Sequence, residues 1–224
     1  KFYPARDASA LSAAFASILD NIIADTSTPL VSIAASTSSL RSTANAYIAG
    51  YDAADWSGRL TAYPINTTTG LLGTTPDWYA AGKDGVGTPQ GLDAAAFSVS
   101  SRLILSHDAT SGVSWKWGNI PPAQQALLKT GSDTDTVGNE RLDWVRGDRT
   151  KETPAGTFRM RGSRLGDIVN SNIWYTSKPS GGYSGDYTTF RSDYSSRPPM
   201  LYVCANDGML HGFDAATGAE RIAY

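Results

Sequence analysis

The run Leu201-Tyr202-Val203-Cys204-Ala205-Asn206-Asp207-Gly208-Met209-Leu210-His211-Gly212-Phe213-Asp214-Ala215-Ala216-Thr217-Gly218-Ala219-Glu220-Arg221-Ile222-Ala223-Tyr224 decides the fold class. Leu201 to Cys204 is apolar and β-favouring throughout, the pattern of a strand covered on both faces. Asp207-Gly208 suits a tight two-residue hairpin turn with positive φ at both positions. Met209 to Phe213 then forms a second strand, with Met209, His211 and Phe213 on one face and Leu210 and Gly212 on the other. Thr217-Gly218 supplies another turn with a left-handed glycine, and Ala219 to Tyr224 starts a third strand. Three short antiparallel strands in succession are a meander, the working part of a propeller blade.

An internal echo supports this reading. Gly58-Arg59-Leu60-Thr61-Ala62-Tyr63 followed by Thr69-Gly70 matches Gly208-Met209-Leu210-His211-Gly212-Phe213 followed by Thr217-Gly218. In each copy a glycine opens the strand, a leucine and an aromatic follow at fixed spacing, and Thr-Gly closes it. Trp78 takes the part that the strand ending in Tyr224 begins to take. Repeat folds need more than two such units for stability, so the separation implies further blades or insertions between them. The pattern resembles the blade motif of quinoprotein-like propellers. The expected fold is therefore mainly β, the start of such a propeller, with an N-terminal amphipathic helix and one short internal helix.

Composition narrows the class. The chain has 224 residues, 41% hydrophobic and 18% charged, with a net charge of −2. That balance is neither disordered nor suited to nucleic acid. Between Arg141 and Arg164, seven basic residues face three acidic ones, a local excess of +4 that reads as a solvated face with structural ion pairs. The single cysteine, Cys204, excludes an internal disulfide framework and a cysteine-rich zinc site. Its place in an apolar strand predicts a buried, inert thiol. No apolar run reaches the ~18 residues of a membrane span. The sequence opens mid-pattern and closes mid-blade, and it reads as an excerpt.

From the N-terminus, Asp7 or Ser9 caps a helix whose stripe runs through Leu11, Ala14, Phe15, Ile18, Leu19, Ile22 and Ile23. Ser32 to Thr43 is small and polar, an extended connector or an edge strand. Aromatics from Tyr47 to Tyr79 fill a β-layer. Gly82 to Leu92 is glycine-rich but has no phosphate-cradling pattern. Arg102–Ser106 and Val113–Trp117 pair through His107 to Gly112. Pro121 to Lys129 is a short helix, Ile173 to Tyr175 a strand, and Tyr183 to Arg197 a surface loop. The expected units are 1–28, a closing piece of a preceding domain; 29–45, a connector; and 46–224, the start of the propeller.

Chemistry is scarce. His107 and His211 have no second ligand at useful spacing. Asp133-Thr134-Asp135 starts like a calcium loop but meets Val137 at position five and Trp144 at position twelve, so a polar turn is the default. Asn66-Thr67-Thr68 is a glycosylation sequon by pattern. No residue sits in a nucleophile motif, and no carboxylates are paired for acid–base work. Arg146-Gly147-Asp148, on an exposed turn, would present a cation and a carboxylate as integrins recognise them; the structural alternative has Arg146 and Asp148 pinning a strand end.

Three further runs carry a resemblance. Trp144-Val145-Arg146-Gly147-Asp148, then Phe158 to Ser171 with Arg164-Leu165-Gly166-Asp167-Ile168-Val169-Asn170-Ser171 at its end, then Arg197 to Asp214, together resemble the PilY family (PilC-like type IV pilus tip and biogenesis proteins). Trp56-Ser57-Gly58-Arg59-Leu60 is similar to its upstream signature. Lys1 to Thr26 resembles the close of the von Willebrand factor A-type domain that often precedes it. Cys204 and Gly212 depart from the family's usual glycine and alanine. The resemblance implies a non-enzymatic surface protein at the pilus tip that works with minor pilins in extension against retraction. It also implies contact with surfaces or host-cell receptors such as integrins. The family's calcium loop lies beyond Tyr224, so no cofactor is expected here and calcium only in the full-length protein. Two rivals share the blades: a quinone-cofactor dehydrogenase, whose adjacent cysteine pair one cysteine cannot make, and a scaffolding propeller of an outer-membrane assembly machine.

Overall fold

The computed structural model describes residues 30–35, 45–53 and 55–224. In chain order the elements are β1 (Leu30–Ala35), β2 (Asn45–Asp52), β3 (Ser57–Pro64), β4 (Trp78–Tyr79), β5 (Leu105–His107), β6 (Gly112–Ser114), α1 (Pro122–Leu127), α2 (Asp135–Arg146), β7 (Trp174–Thr176), α3 (Asp186–Asp193), β8 (Met200–Cys204), β9 (Leu210–Asp214) and β10 (Glu220–Ala223). The N-terminal amphipathic helix, the unit 1–28 and residues 36–44 of the connector lie outside the described residues. Within the connector, Leu30–Ala35 forms an edge strand on β2, so the sheet begins before residue 46.

Strands β1 to β4 form one four-stranded sheet and β7 to β10 another, each in sequence order and antiparallel throughout. The internal echo is thus a repeat of topology: β3 and β9 are each third in their sheets, and Trp78 on β4 stands where β10 stands in the second. Side-chain facing does not follow the letters, however. Leu60 is fully buried whereas Leu210, its counterpart in the alignment, is 40% exposed. Met209, His211 and Phe213 are buried as the alternation predicts. The described residues hold two antiparallel meanders and form no closed ring of sheets.

The two sheets share one core. Small residues on β2, β3 and the segment after β4 (Ala49, Ala62, Ala80, Ala81) leave room for Tyr47, Leu60 and Trp78. From the second sheet come Leu201, Val203, Phe213 and Ala215. Fully burying side chains such as Leu60, Leu201 or Phe213 contributes about 1.5–3 kcal/mol each. The Tyr47 hydroxyl and the Trp78 indole N–H both donate to the Ala215 carbonyl, each at 3.2 Å. Burial, with the nearby Tyr175, Asp214 and Asp77, raises the Tyr47 pKa well above its usual value.

Local expectations fail at four places. The turn between β8 and β9 is not a two-residue one. The Gly208 N–H donates to the Ala205 carbonyl at 3.1 Å, and only Gly208 has a positive φ, +89°. This is a turn closed three residues back and followed by a left-handed glycine. Instead of one internal helix, the described residues form three α-helices. Helix α2 starts on Thr134, whose hydroxyl accepts from the Val137 N–H, and ends on Gly147 at φ +117°, a left-handed cap open to glycine. Helix α3 lies inside the expected surface loop and buries no residue. Cys204 is exposed, not buried, because alternation along β8 turns Leu201 and Val203 to the core and Cys204 to the other face, opposite the exposed Leu210.

Candidate functional site

Three segments distant in sequence converge beside the gap between the sheets: Trp56-Ser57-Gly58 at the start of β3, Arg164 to Ser171, and the turn from Ala205 to Met209. The Gly58 N–H donates to the Leu165 carbonyl at 2.9 Å, and Ser57 bridges to Gly166. The Gly166 N–H donates to Asp207 Oδ2 at 3.1 Å. The Asn206 N–H donates to the Asp167 carbonyl at 2.9 Å, and its side-chain amide to Asp167 Oδ2 at 2.6 Å. The Cys204 N–H donates to Ser171 Oγ at 2.9 Å. Leu165 and Ile168 plug this segment into the core at 1% and 0% exposure. A run with no regular structure of its own is held from two sides, Leu165 and Ile168 inward and Gly166, Asp167 and Ser171 across to the turn and the end of β8.

Behind the turn lies a buried line of charge. His211, fully buried, sits between Asp207 (Nε2 to Oδ2, 3.0 Å) and Glu220 (Nδ1 to Oε1, 2.7 Å). Arg102 pairs with the far side of Glu220 at 2.6 Å, both side chains under 5% exposed, and also donates to the Arg146 carbonyl at 2.9 Å. Burial by itself would push His211 down, but its bonds to Asp207 and Glu220 outweigh that and raise its pKa above the usual 6.5. Burial likewise pushes Asp207 and Glu220 up, and their cationic and amide donors more than reverse it, leaving both lowered.

A second cluster gathers arginines. Asp93 accepts from Arg149 Nη2 at 3.1 Å and lies 3.6 Å from Arg164 Nη1. It also accepts from the Gly82 and Arg164 amides and the Ser163 hydroxyl. Arg164 donates to the Gly147 and Leu92 carbonyls and stacks on Phe97 at 4.3 Å. Arg161 pairs with Glu152 at 2.7 Å and stacks on Trp144 at 4.3 Å. Part of the basic excess from Arg141 to Arg164 is therefore folded into the structure as well as ranged on its surface.

Both clusters meet at a cleft of about 280 Å³. It is lined by Asp55, Trp56 and Ser57, by Trp144, Arg159, Arg161 and Arg164, and by Gly166, Asp167, Asn206 and Asp207.

The structure does not assemble the sites expected from sequence. Arg146 is 2% exposed. Its guanidinium donates to the carbonyls of Trp115 (2.7 Å), Val99 (3.2 Å) and Arg102 (3.3 Å). Arg146-Gly147-Asp148 is thus the end of a helix, neither an exposed turn nor a strand end, and Arg146 is not presented to a receptor. Asp148 accepts from the Thr150 amide. Asp133 accepts from Thr130 and Arg141, while Asp135 pairs with Lys129. The two carboxylates face different cations instead of one ion. Among the described residues, no group of three or more histidines, cysteines or carboxylates could hold a metal, and no helix is long and apolar enough to cross a membrane. His107 lies on an exposed hairpin, where its Nδ1 accepts from the Ala109 amide.

The segments that converge on this cleft include the runs that carried the resemblance, and comparison with known proteins gives the same answer. The chain is 36% identical over 185 residues, 76% of its length, to the type IV pilus biogenesis factor PilY1 of Pseudomonas aeruginosa strain PAK. It is 30% identical over its whole length to a PilY1 homologue of Xylella fastidiosa. The chain belongs to the PilY family. It spans 15–17% of the length of these relatives. No protein-family model matches the chain, and no solved structure matches it.

In this PilY-family chain the buried charges were the residues that sequence reasoning missed. His211 and Glu220 are nine apart, and the hairpin register brings them onto one face. That pairing was available once β9 and β10 were drawn. Arg102 and Asp93, over a hundred and about seventy residues from their partners, left no local signal.

Proposed function

We propose that this chain is part of a type IV pilus biogenesis factor that acts as a structural and interaction protein, not as an enzyme. The observation that carries the reading is the 30–36% identity to proteins of that name, over segments that fold here into one clasp between two sheets. The protein would act at the bacterial cell surface, at the pilus tip. There it would engage minor pilins, bias extension against retraction, and support adhesion to surfaces or host cells. The geometry fits a scaffold: its buried polar groups are spent on joining segments, and its long loops face solvent.

The test is capture of minor pilins by the complete protein and by a form lacking residues 141–224, with surface pili counted in cells carrying each. Loss of capture and of pili in the truncated form is expected. Equal capture and normal pili would overturn a role for this region in assembly.

A further inference from the structure

Both ring nitrogens of His211 face carboxylates. Nδ1 lies 2.7 Å from Glu220 Oε1, and Nε2 lies 3.1 and 3.0 Å from the two oxygens of Asp207. The ring is fully buried and stacked on Phe213, with centroids 5.7 Å apart. A neutral imidazole has one N–H, so only the imidazolium donates to both acids. When a proton leaves, one nitrogen presents a lone pair to a carboxylate at hydrogen-bond distance. In an interior where an unmet polar group is costly, one of the two contacts then opens.

The two arms differ in their freedom to open. Glu220 is gripped from its far side by Arg102, whose Nε and Nη2 donate to its oxygens at 2.6 and 2.9 Å. Arg102 is fixed in turn to the Arg146 carbonyl, and the Arg146 guanidinium to three carbonyls. Val203 and Ala223, paired with His211 from the flanking strands, bring no charge. Asp207 has no second cation among the described residues, and its other donors are the Gly166 and Met209 amides at 3.1 Å each. Its side chain is 16% exposed against 4% for Glu220, so the break falls on the arm that water reaches. Asp207 lies on the turn that holds Arg164 to Ser171. A carboxylate that swings out to water gives up its bond to Gly166 along with its bond to His211.

We propose that His211 is a proton latch for the clasp: with both nitrogens protonated it holds Asp207 inward and the segment from Arg164 to Ser171 closed, and loss of one proton releases Asp207 while Glu220 stays on Nδ1. Burial lowers the His211 pKa, and the bonds to Asp207 and Glu220 more than reverse it, leaving the folded value above 6.5. The closed clasp therefore keeps a proton that the open clasp gives up. The latch is complete below 6.5 and is released as pH rises through the folded value. It is a property of this fold and draws nothing from the pilus reading.

The test is amide hydrogen exchange of the complete protein, read by mass spectrometry from about pH 6 to 9 and corrected for the intrinsic pH dependence of exchange. Protection across 164–171 and 205–209 should fall by up to about tenfold per pH unit above His211's unfolded value, the slope of one released proton. Protection of β2 should hold over the same range. Asp207→Asn puts an amide where it donates to a neutral Nε2, so its clasp should show no such fall. His211→Gln, with no proton to lose, should show none either. His107→Gln, on the exposed hairpin, should titrate like the parent. Flat protection of the two segments in the parent, a fall shared equally by β2, or a fall that survives Asp207→Asn would each overturn the proposal. So would a loss confined to Glu220–Ala223, which would make Glu220 the arm that opens.

Discussion

Gly58 and Gly166 touch backbone to backbone: a methyl group on Gly58 would stand 2.0 Å from the Gly166 carbonyl oxygen. Gly166 is as tight on its other side, where a methyl group would meet the Asp207 amide nitrogen at 2.4 Å. Neither obstacle is the end of a flexible side chain. Gly58→Ala and Gly166→Ala should each destabilise the fold by about 1–3 kcal/mol, as overpacking does, lowering the melting temperature by roughly 3–10 °C. Calorimetry checks this, and an unchanged melt would show that the clasp is loose in solution.

Arg102 and Glu220 are a buried ion pair that also holds His211 in place. Removing one member leaves a charge in the interior, which costs about 3–5 kcal/mol. Arg102→Ala is expected to unfold at markedly lower denaturant than the parent. Lys151→Ala, at a solvent-facing pair with Glu140, should cost under about 1 kcal/mol. Equal effects would refute the distinction between interior and surface pairs.

The same network predicts how stability depends on pH. His211 has a raised pKa, so its contribution is complete below its unfolded value of 6.5 and is lost as pH climbs through the higher folded value. Asp207 and Glu220 have lowered pKa values, so theirs are complete above 3.8 and 4.5 and are lost as pH falls through the folded values. Stability should therefore peak between about pH 4.5 and 6.5 and decline on both sides. Thermal melts from pH 3 to 9 read the curve directly. His211→Gln should flatten the alkaline decline, and a parent curve already flat there would contradict the assignment.

Arg146 should behave as a structural residue. It ties α2 to the segments around Val99, Arg102 and Trp115. Arg146→Ala is expected to cost at least about 1.5–3 kcal/mol, the scale of a charge-assisted hydrogen bond, whereas Asp148→Ala, losing one turn amide, should cost less than half as much. If both variants melt like the parent and integrin binding falls with each, Arg146 is free in solution and the buried placement is wrong.

Cys204 should react with a thiol reagent in the native protein, since it is exposed at the end of β8. Labelling is expected without denaturant and should disappear in Cys204→Ser. Labelling that waits for unfolding would restore the inert thiol of the strand pattern.

The meander at the C-terminal end was legible because β8 to β10 are short, apolar by turns and punctuated by Asp-Gly and Thr-Gly. Helix α2 was not. Its interior carries Val137 and Gly138, poor helix formers, and Leu142-Asp143-Trp144-Val145 reads as strand. The usable signals were Thr134 as cap and Gly147 as stop. Helix α3 buries nothing; its one signal is the helical spacing of Tyr187, Phe190 and Tyr194, whose rings pack on one another on an exposed face. At the clasp, Arg164 to Ser171 was recognised as distinctive by resemblance alone. What it does depends on Asp167 meeting Asn206 across thirty-nine residues, and no periodicity encodes such a pairing. Leu60 and Leu210 mark the same boundary: letters aligned the strands and could not align their faces.

The shared acceptor at Ala215 also sets a timetable. Tyr47 and Trp78 wait for a carbonyl 168 and 137 residues further along the chain. At typical synthesis rates that wait is roughly 10–30 s, far longer than the microseconds in which a hairpin such as β2–β3 can form. A first sheet formed in that interval would carry its aromatic layer uncovered and so be marginal on its own, and closing so wide a loop is slow in itself. A chain built this way completes its aromatic layer only when its second sheet arrives.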